Sequence, residues 1–591
     1  MLRLIHFAFA FSLLLSAFDN TAKSLGRQYL NVSELNNNNT LGAKSPLPMA
    51  VFSSVGKVTG VNSALQGHLS FSPIKGLSQS HLTEKSDVYQ FERRTRPDAF
   101  TNKRRTLPHI SFDFVQSGQA IIPTKQQLQI SEHPHWDYFI GIGEIWREIA
   151  DGDKARISLP FALVEKNQNC LHNGAITFLI DNDGKTSNFY YQISSETCLY
   201  YKVDMWGKGK VDYSEKPIAN SQNVIKNHQL AQQDIITTKP LSDLKKQYPT
   251  LAIEQLALAN TIKQADMSSF GIMLNGDHYI SGCMTRYGAY PFCSQMVMPS
   301  YSTAKSIFAG LAMFYLADKH SDVFQQQVSD WVEECQGEQW QGVTFGHLLN
   351  MSTGNYQNIG HSADEGAEHS QIFFKAKSHQ DKINYSCQYF SHKSQPGTTF
   401  VYHTSDTYLL GSALNNYLNA QQKNNGAQER VNIFQQVFVD VLWPQLNLSA
   451  TAYSSRRTTG SQQQPFAGYG LFFTQDDIAK LIRFLMMEQS GKSSLLDNKA
   501  LSPALQRHPS ADDMTTQYEF IHYNNGFWKQ NVSKLLSCEK DTWLPYMLGY
   551  GGIGIVLASS NIQYYYVSDS DQYIWRDAIK ELDKISPLCR H

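Results

Sequence analysis

Two groups of strand-like runs, far apart in the chain, constrain the fold more than any other feature. Phe270 to Leu274 and Tyr279 to Met284 flank the turn Asn275-Gly276-Asp277, and Gly552 to Ala558 and Ile562 to Val567 follow only near the other end. The stretch between Ser302 and Pro545 reads as largely helical, and Gln572 to Lys584 as a closing helix. One sheet can hold both groups only if it is assembled from distant parts of the chain, with helices packed against it. That layout sets Ser302 beside residues near position 550.

A chain of 591 residues exceeds a single core and predicts several domains. Net charge is -1, from 51 basic and 52 acidic residues, which excludes the electrostatic footprint of a nucleic-acid binder. The clusters Arg93, Arg94, Arg96 and Lys103, Arg104, Arg105 lack periodicity and read as a solvated linker. At the start, Arg3 and the apolar run Leu4 to Phe18 have the form of a secretory signal cut near Ala17, too short for a stable membrane span. A periplasmic or secreted protein is expected, and the eight cysteines suit an oxidising compartment. Their positions suggest local pairs, Cys170 with Cys198, Cys283 with Cys293, Cys335 with Cys387, and Cys538 with Cys589, a connectivity that the sequence alone leaves open. No cysteine and histidine zinc pattern is present, so no metal is expected.

Texture divides the chain further. Residues 1–19 form the signal peptide, and 20–105 a polar, partly disordered lead-in. Residues 106–215 carry short β runs separated by turns such as Asp181-Asn182-Asp183-Gly184, which predicts a small all-β, sandwich-like accessory domain with a glycan or protein as its ligand. A Gln- and Asn-rich linker spans 216–244, and 245–591 is the second domain.

Chemistry concentrates in that second domain. Ser302-Thr303-Ala304-Lys305 opens an apolar helix, and residues three apart lie on one helix face, so Lys305 reaches the hydroxyl of Ser302. First-turn N–H groups and the helix dipole favour an alkoxide there. The same S-x-x-K pattern recurs at Ser54, Ser72, Ser242 and Ser537, so context decides. Tyr402-His403-Thr404 opens another apolar helix, where a phenol can pass a proton between nucleophile and leaving group. Gly549-Tyr550-Gly551-Gly552-Ile553-Gly554 satisfies a dinucleotide pattern formally, but a β run follows it rather than a helix. It reads as a strand whose glycines admit substrate, with one main-chain N–H as an oxyanion donor.

The order S-x-x-K, Y-x-[polar], then a late glycine-rich strand resembles the serine hydrolases related to class C β-lactamases and penicillin-binding proteins. Val343 to Gly354 resembles the family's T-x-x-H-L-L-x-x-x-S/T-G stretch, and Gly468 to Ala479 its G-G-L-x-S-T-x-x-D-L-A stretch. The resemblance covers roughly residues 245 to 588. It implies an α+β, β-lactamase/transpeptidase-like domain: an antiparallel sheet flanked by helices, with a helical subdomain. It further implies Ser302 as acylated nucleophile, Lys305 as activating partner, Tyr402 as proton shuttle, and the N–H groups of Ser302 and Ile553 as oxyanion hole. Which of Lys305 and Tyr402 takes the first proton stays open. Tyr550-Gly551-Gly552 stands where β-lactamases have K-T-G, so the cation that grips a β-lactam carboxylate is missing, and Thr404 replaces the asparagine of Y-x-N. With Thr404, Tyr550, Gly551 and Gly552 lining the substrate site, the resemblance leans toward esterases and 6-aminohexanoate-oligomer hydrolases. The expected activity is hydrolysis of a small-molecule or peptide-like ester or amide without metal or organic cofactor. The alternatives are β-lactamase, penicillin-binding or D-amino-acid peptidase activity, and a non-catalytic binding protein on a hydrolase scaffold.

Overall fold

The computed structural model describes residues 30–37, 45–54, 61, 64–84, 103–424 and 432–590. The expected signal peptide and the cluster Arg93, Arg94, Arg96 lie outside the described residues. Among the described residues, no helix is long and apolar enough to cross a membrane.

The first sheet is antiparallel and contains β1 (Gln66–Glu84), β2 (Ile110–Ser117), β3 (Ala120–Pro123), β4 (Trp136–Ile140), β5 (Gly143–Trp146), β6 (Ala155–Glu165), β7 (Leu171–Ile180), β8 (Asn188–Thr197) and β9 (Tyr201–Glu215). Its order is β4-β6-β5-β3-β2-β1-β9-β8-β7, and β6 also pairs with β7 along its whole length. The sheet therefore closes on itself as a barrel, with β4 and β5 following one another along the same edge of β6. The expected all-β region is present, as one closed sheet rather than two stacked ones. It also begins earlier than the boundary at 106, because β1 bridges β2 and β9 within the expected lead-in.

Alternation explains the closure. Ile157, Leu159, Phe161 and Leu163 of β6 point into the barrel core with Ile176 and Phe178 of β7. The intervening Ala162, Val164 and Leu171 are buried too, against Val297 and Phe472 of the second domain. Asn173 completes that seam, its side chain bonding both the N–H and the C=O of Val297. Strands buried on both faces lose the polar alternation that would have marked one of them as outward.

Residues 216–244, expected as a linker, hold a helix, α1 (Ser221–Gln233), with no buried side chain, and β10 (Thr238–Pro240). The second sheet then has the order β10-β12-β11-β18-β17-β16-β15-β14-β13. Its members are β11 (Met267–Leu274), β12 (Asp277–Ile280), β13 (Met514–Thr515), β14 (Ile521–Asn524), β15 (Phe527–Asn531), β16 (Trp543–Gly549), β17 (Ile553–Val556) and β18 (Ile562–Ser568). β11 lies against β18, with Ile272 opposite Tyr564, so the two distant strand groups meet as expected. In β18, Tyr564 and Tyr566 face a core shared with the closing helix α5 (Arg576–Asp583), while Tyr565 and Val567 face the helices that follow the Ser302, Tyr402 and Gly468 motifs. Those helices are α2 (Leu311–Lys319), α3 (Thr404–Asn424) and α4 (Gln475–Gln489). Four disulfides form in the expected pairing.

Candidate active site

Ser302 lies in a 3-10 turn, Tyr301–Thr303, rather than in the first turn of an α-helix. A widened π turn, Lys305–Gly310, follows before α2 begins. A 3-10 turn has about three residues per turn and eclipses residues i and i+3, so the S-x-x-K pair still converges. Lys305 Nζ donates to Ser302 Oγ at 3.0 Å and to Thr404 Oγ1 at 2.7 Å. Tyr301 sits at φ +40°, a left-handed conformation that costs a non-glycine residue of order 1–3 kcal/mol and persists only where surroundings enforce it.

Burial sets the protonation states. Lys305 is 1% exposed, and its removal from water pushes its pKa down to about 8, against the opposing pull of the Glu365 and Asp406 carboxylates. Tyr402 is driven the other way. Burial, Tyr523 and Glu365 hold its phenol well above the usual value, while its hydrogen bond with Ser302 works against them. Its ring stacks on Trp528 and lies 4.7 Å from Lys305 Nζ, a cation–π contact. At neutral pH Tyr402 is a neutral hydroxyl, and Lys305 is the group whose proton is loosely held.

Thr404 connects this pair to a carboxylate. Its hydroxyl donates to Glu365 Oε1 and its N–H donates to Glu365 Oε2 at 2.9 Å, fixing Glu365 at the start of α3. The helical turn Ala363–Gly366 also carries Asp364, which accepts from His403 Nε2 at 3.0 Å. His403 stacks on Phe390 and, despite burial, is raised to about 9 by Asp406 and Asp364. It is an imidazolium buried under the site. No motif singled out Glu365 or Asp364; only the adjacency of the two carboxylates, matched by the adjacent His403 and Thr404, could have hinted at them.

The glycine-rich segment sits differently from expectation. Gly551 and Gly552 have φ +91° and +99° and form the hairpin turn between β16 and β17, packed toward Leu199, Ser568 and Gln572. Ile553 is 2% exposed inside the sheet, between Gly549 and Val567, so its N–H serves the ladder and not the cleft. The open edge belongs to β16. Pairing with β15 ends at Trp528 opposite Tyr546, and Leu557 N–H donates to Pro545 O on the opposite side. In an antiparallel ladder direction alternates, so Leu548 and Tyr550 turn their amides outward, on the side of the Ser302 turn. A Cβ on Gly549 would come within 2.7 Å of Ser300 O, which shows how closely this strand passes the turn that carries Ser302.

The cleft over Ser302 has a volume of about 720 Å³ and a mostly apolar lining, with Tyr402, Tyr469, Tyr546 and Trp528 from the second domain. Tyr550 lines it and stacks on Tyr200 from the barrel. Arg104, read from sequence as part of a solvated linker, also lines it from the barrel side. It is 5% exposed, bonded to Glu165 at 2.7 Å and stacked over Tyr201. Among the described residues no cluster of histidine, cysteine, aspartate and glutamate could hold a metal ion. His347 caps its own helix with Thr344, and Asp477 does the same for α4 with Thr474.

Residues 284–558 match the Beta-lactamase family model. No curated protein matches the chain. Among solved structures it is similar to a Bacillus anthracis protein assigned as a 6-aminohexanoate-dimer hydrolase, at 15% identity over 54% of this chain and 79% of that one, with a TM-score of 0.40. It is also similar to a class C beta-lactamase, at 16% identity over 58% and 96% of the two chains and a TM-score of 0.40. A tyrosine-to-phenylalanine mutant of a class C beta-lactamase gives 15% identity, 62% and 100% coverage, and a TM-score of 0.39.

Proposed function

From the match of residues 284–558 to the Beta-lactamase family model, we propose that the protein is an exported serine hydrolase that cleaves esters or amides through a Ser302 acyl-enzyme. The observation that carries this reading is the buried Lys305 amine, lowered to about 8 and 3.0 Å from Ser302 Oγ. Roughly a tenth of such lysines are neutral at pH 7, against fewer than about one in a thousand for an ordinary lysine. Neutral Lys305 takes the Ser302 proton as Oγ attacks the substrate carbonyl. The N–H of Ser302 and an outward amide of Leu548 or Tyr550 hold the oxyanion, in place of Ile553. Tyr402, as a neutral hydroxyl, passes the proton to the leaving group, and water then hydrolyses the acyl-enzyme.

The cleft favours bulky apolar or aromatic acyl or leaving groups, since tyrosine and tryptophan make up much of its lining. A β-lactam carboxylate would find no buried, uncommitted cation. Arg104 is paired with Glu165, and Lys375 and Arg576 are exposed. A fluorophosphonate probe is expected to label Ser302, and Ser302→Ala to abolish both labelling and turnover of aryl esters. A folded wild-type protein that is not labelled, or that turns over penicillin faster than aryl esters, would contradict this reading.

A further inference from the structure

The nucleophile turn is held from outside the beta-lactamase family segment. Asn169, on the barrel loop between β6 and β7, is fully buried beneath Ser302. Its Oδ1 accepts the N–H of Tyr301 at 2.8 Å, the N–H of Gly470 at 2.9 Å and the Ser300 hydroxyl at 3.3 Å, and its Nδ2 donates to Leu471 O at 3.2 Å. Two main-chain N–H groups on one side and a carbonyl on the other fix the orientation of the amide. The loop is itself anchored, because Arg456 bonds Gln168 O at 2.9 Å and Glu165 O and pairs with Asp137 at 2.6 Å. Gly470 runs so close to Arg456 that a Cβ there would lie 2.7 Å from the arginine Cβ.

The far end of Tyr301 is held by the barrel as well. Its hydroxyl donates to Cys198 O at 3.1 Å, and the Cys170–Cys198 disulfide ties that strand end to the residue following Asn169. One residue in a strained conformation, directly before the nucleophile, is thus pinned at its N–H and at its hydroxyl by one loop system of another domain.

We propose that Asn169 is a positioning residue of the nucleophile: by holding the Tyr301 N–H it stabilises the left-handed turn that aims Ser302 Oγ at Lys305. The barrel then completes the active site, in addition to any ligand of its own. This rests on the Ser302 acyl-enzyme reading, and the two are separable because each variant is scored against a wild type that must itself be labelled.

The test measures second-order fluorophosphonate labelling of Ser302, and kcat and KM for an aryl ester, on the full-length disulfide-bonded protein with folding checked by near-UV circular dichroism. Asn169→Ala is expected to slow labelling by about tenfold or more and to lower kcat while KM changes by less than about threefold. Glycine adopts positive φ without strain, so in a Tyr301→Gly background the same substitution should slow labelling by less than about threefold. Asn169→Asp keeps the acceptor and should retain labelling within about fivefold, which also serves if the alanine variant does not fold. A folded Asn169→Ala protein labelled within about twofold of wild type would overturn the proposal. So would an equal loss in the Tyr301→Gly background, or a folded Asn169→Asp protein as slow as the alanine variant.

Discussion

On the proposed mechanism, Lys305 sets the pH at which Ser302 is acylated. Its pKa lies near 8 because burial outweighs the Glu365 and Asp406 carboxylates, and the neutral amine is the reactive form. kcat/KM should therefore rise with pH through a midpoint near 8. Glu365→Gln removes a charge that favours the ammonium, so the midpoint should move to lower pH in the free enzyme, as a pH–rate profile would record. A midpoint unchanged by that substitution would mean that Glu365 does not bear on Lys305. Ser302 with Lys305, and Tyr402 with Thr404, are legible in sequence because each pair falls within one short motif. Glu365 and Asn169 are not, since each reaches the site from a polar turn and its side chain bonds only residues far away in sequence; tertiary placement alone gives them a role.

The added strands β13 to β15 extend the second sheet beyond β16 and supply one wall of the cleft through Ile521, Trp528 and Gln530. They are tied to their own flank by Lys529 and Asp513, an ion pair at 2.6 Å with side chains 0% and 1% exposed. Asp513→Ala leaves the ammonium buried and unpaired and should destabilise the fold by about 3–5 kcal/mol in urea denaturation, whereas Asp513→Ala with Lys529→Met should recover much of that loss. A double variant as unstable as the single one would locate the loss elsewhere. The expected strand pairs around Ser302 were readable from alternation and turns. β6 and β7 were readable as strands but not as a closed pair, because packing on the second domain makes both their faces apolar.

The barrel and the second domain share a desolvated seam of Phe139, Val164, Val297 and Phe472, and the barrel also bonds the turn that carries Ser302. Cys170–Cys198 joins the two barrel segments that touch that turn, closing a loop of 28 residues in sequence separation. Replacing both cysteines with serine should destabilise the protein by about 3 kcal/mol. Ser302 labelling should also slow at temperatures where the far-UV spectrum is still native, since loop slack reaches Tyr301 before either sheet melts. Labelling that fails only with global unfolding would limit the bridge to a stabilising role. The domain boundary at 106 misses β1 because its polar residues resemble a lead-in, and only pairing with β2 and β9 reveals it as part of the closed sheet.

The joining of β11 to β18 has a consequence in time. The strand that lies beside β11 follows it by about 290 residues, so a chain emerging from a ribosome carries Ser302 and Lys305 long before the sheet behind them can close. Contacts this distant in sequence form late and slowly. On the proposed mechanism the chemistry of Ser302 waits for β18, and a product clipped ahead of Ile562 should not be labelled by a fluorophosphonate.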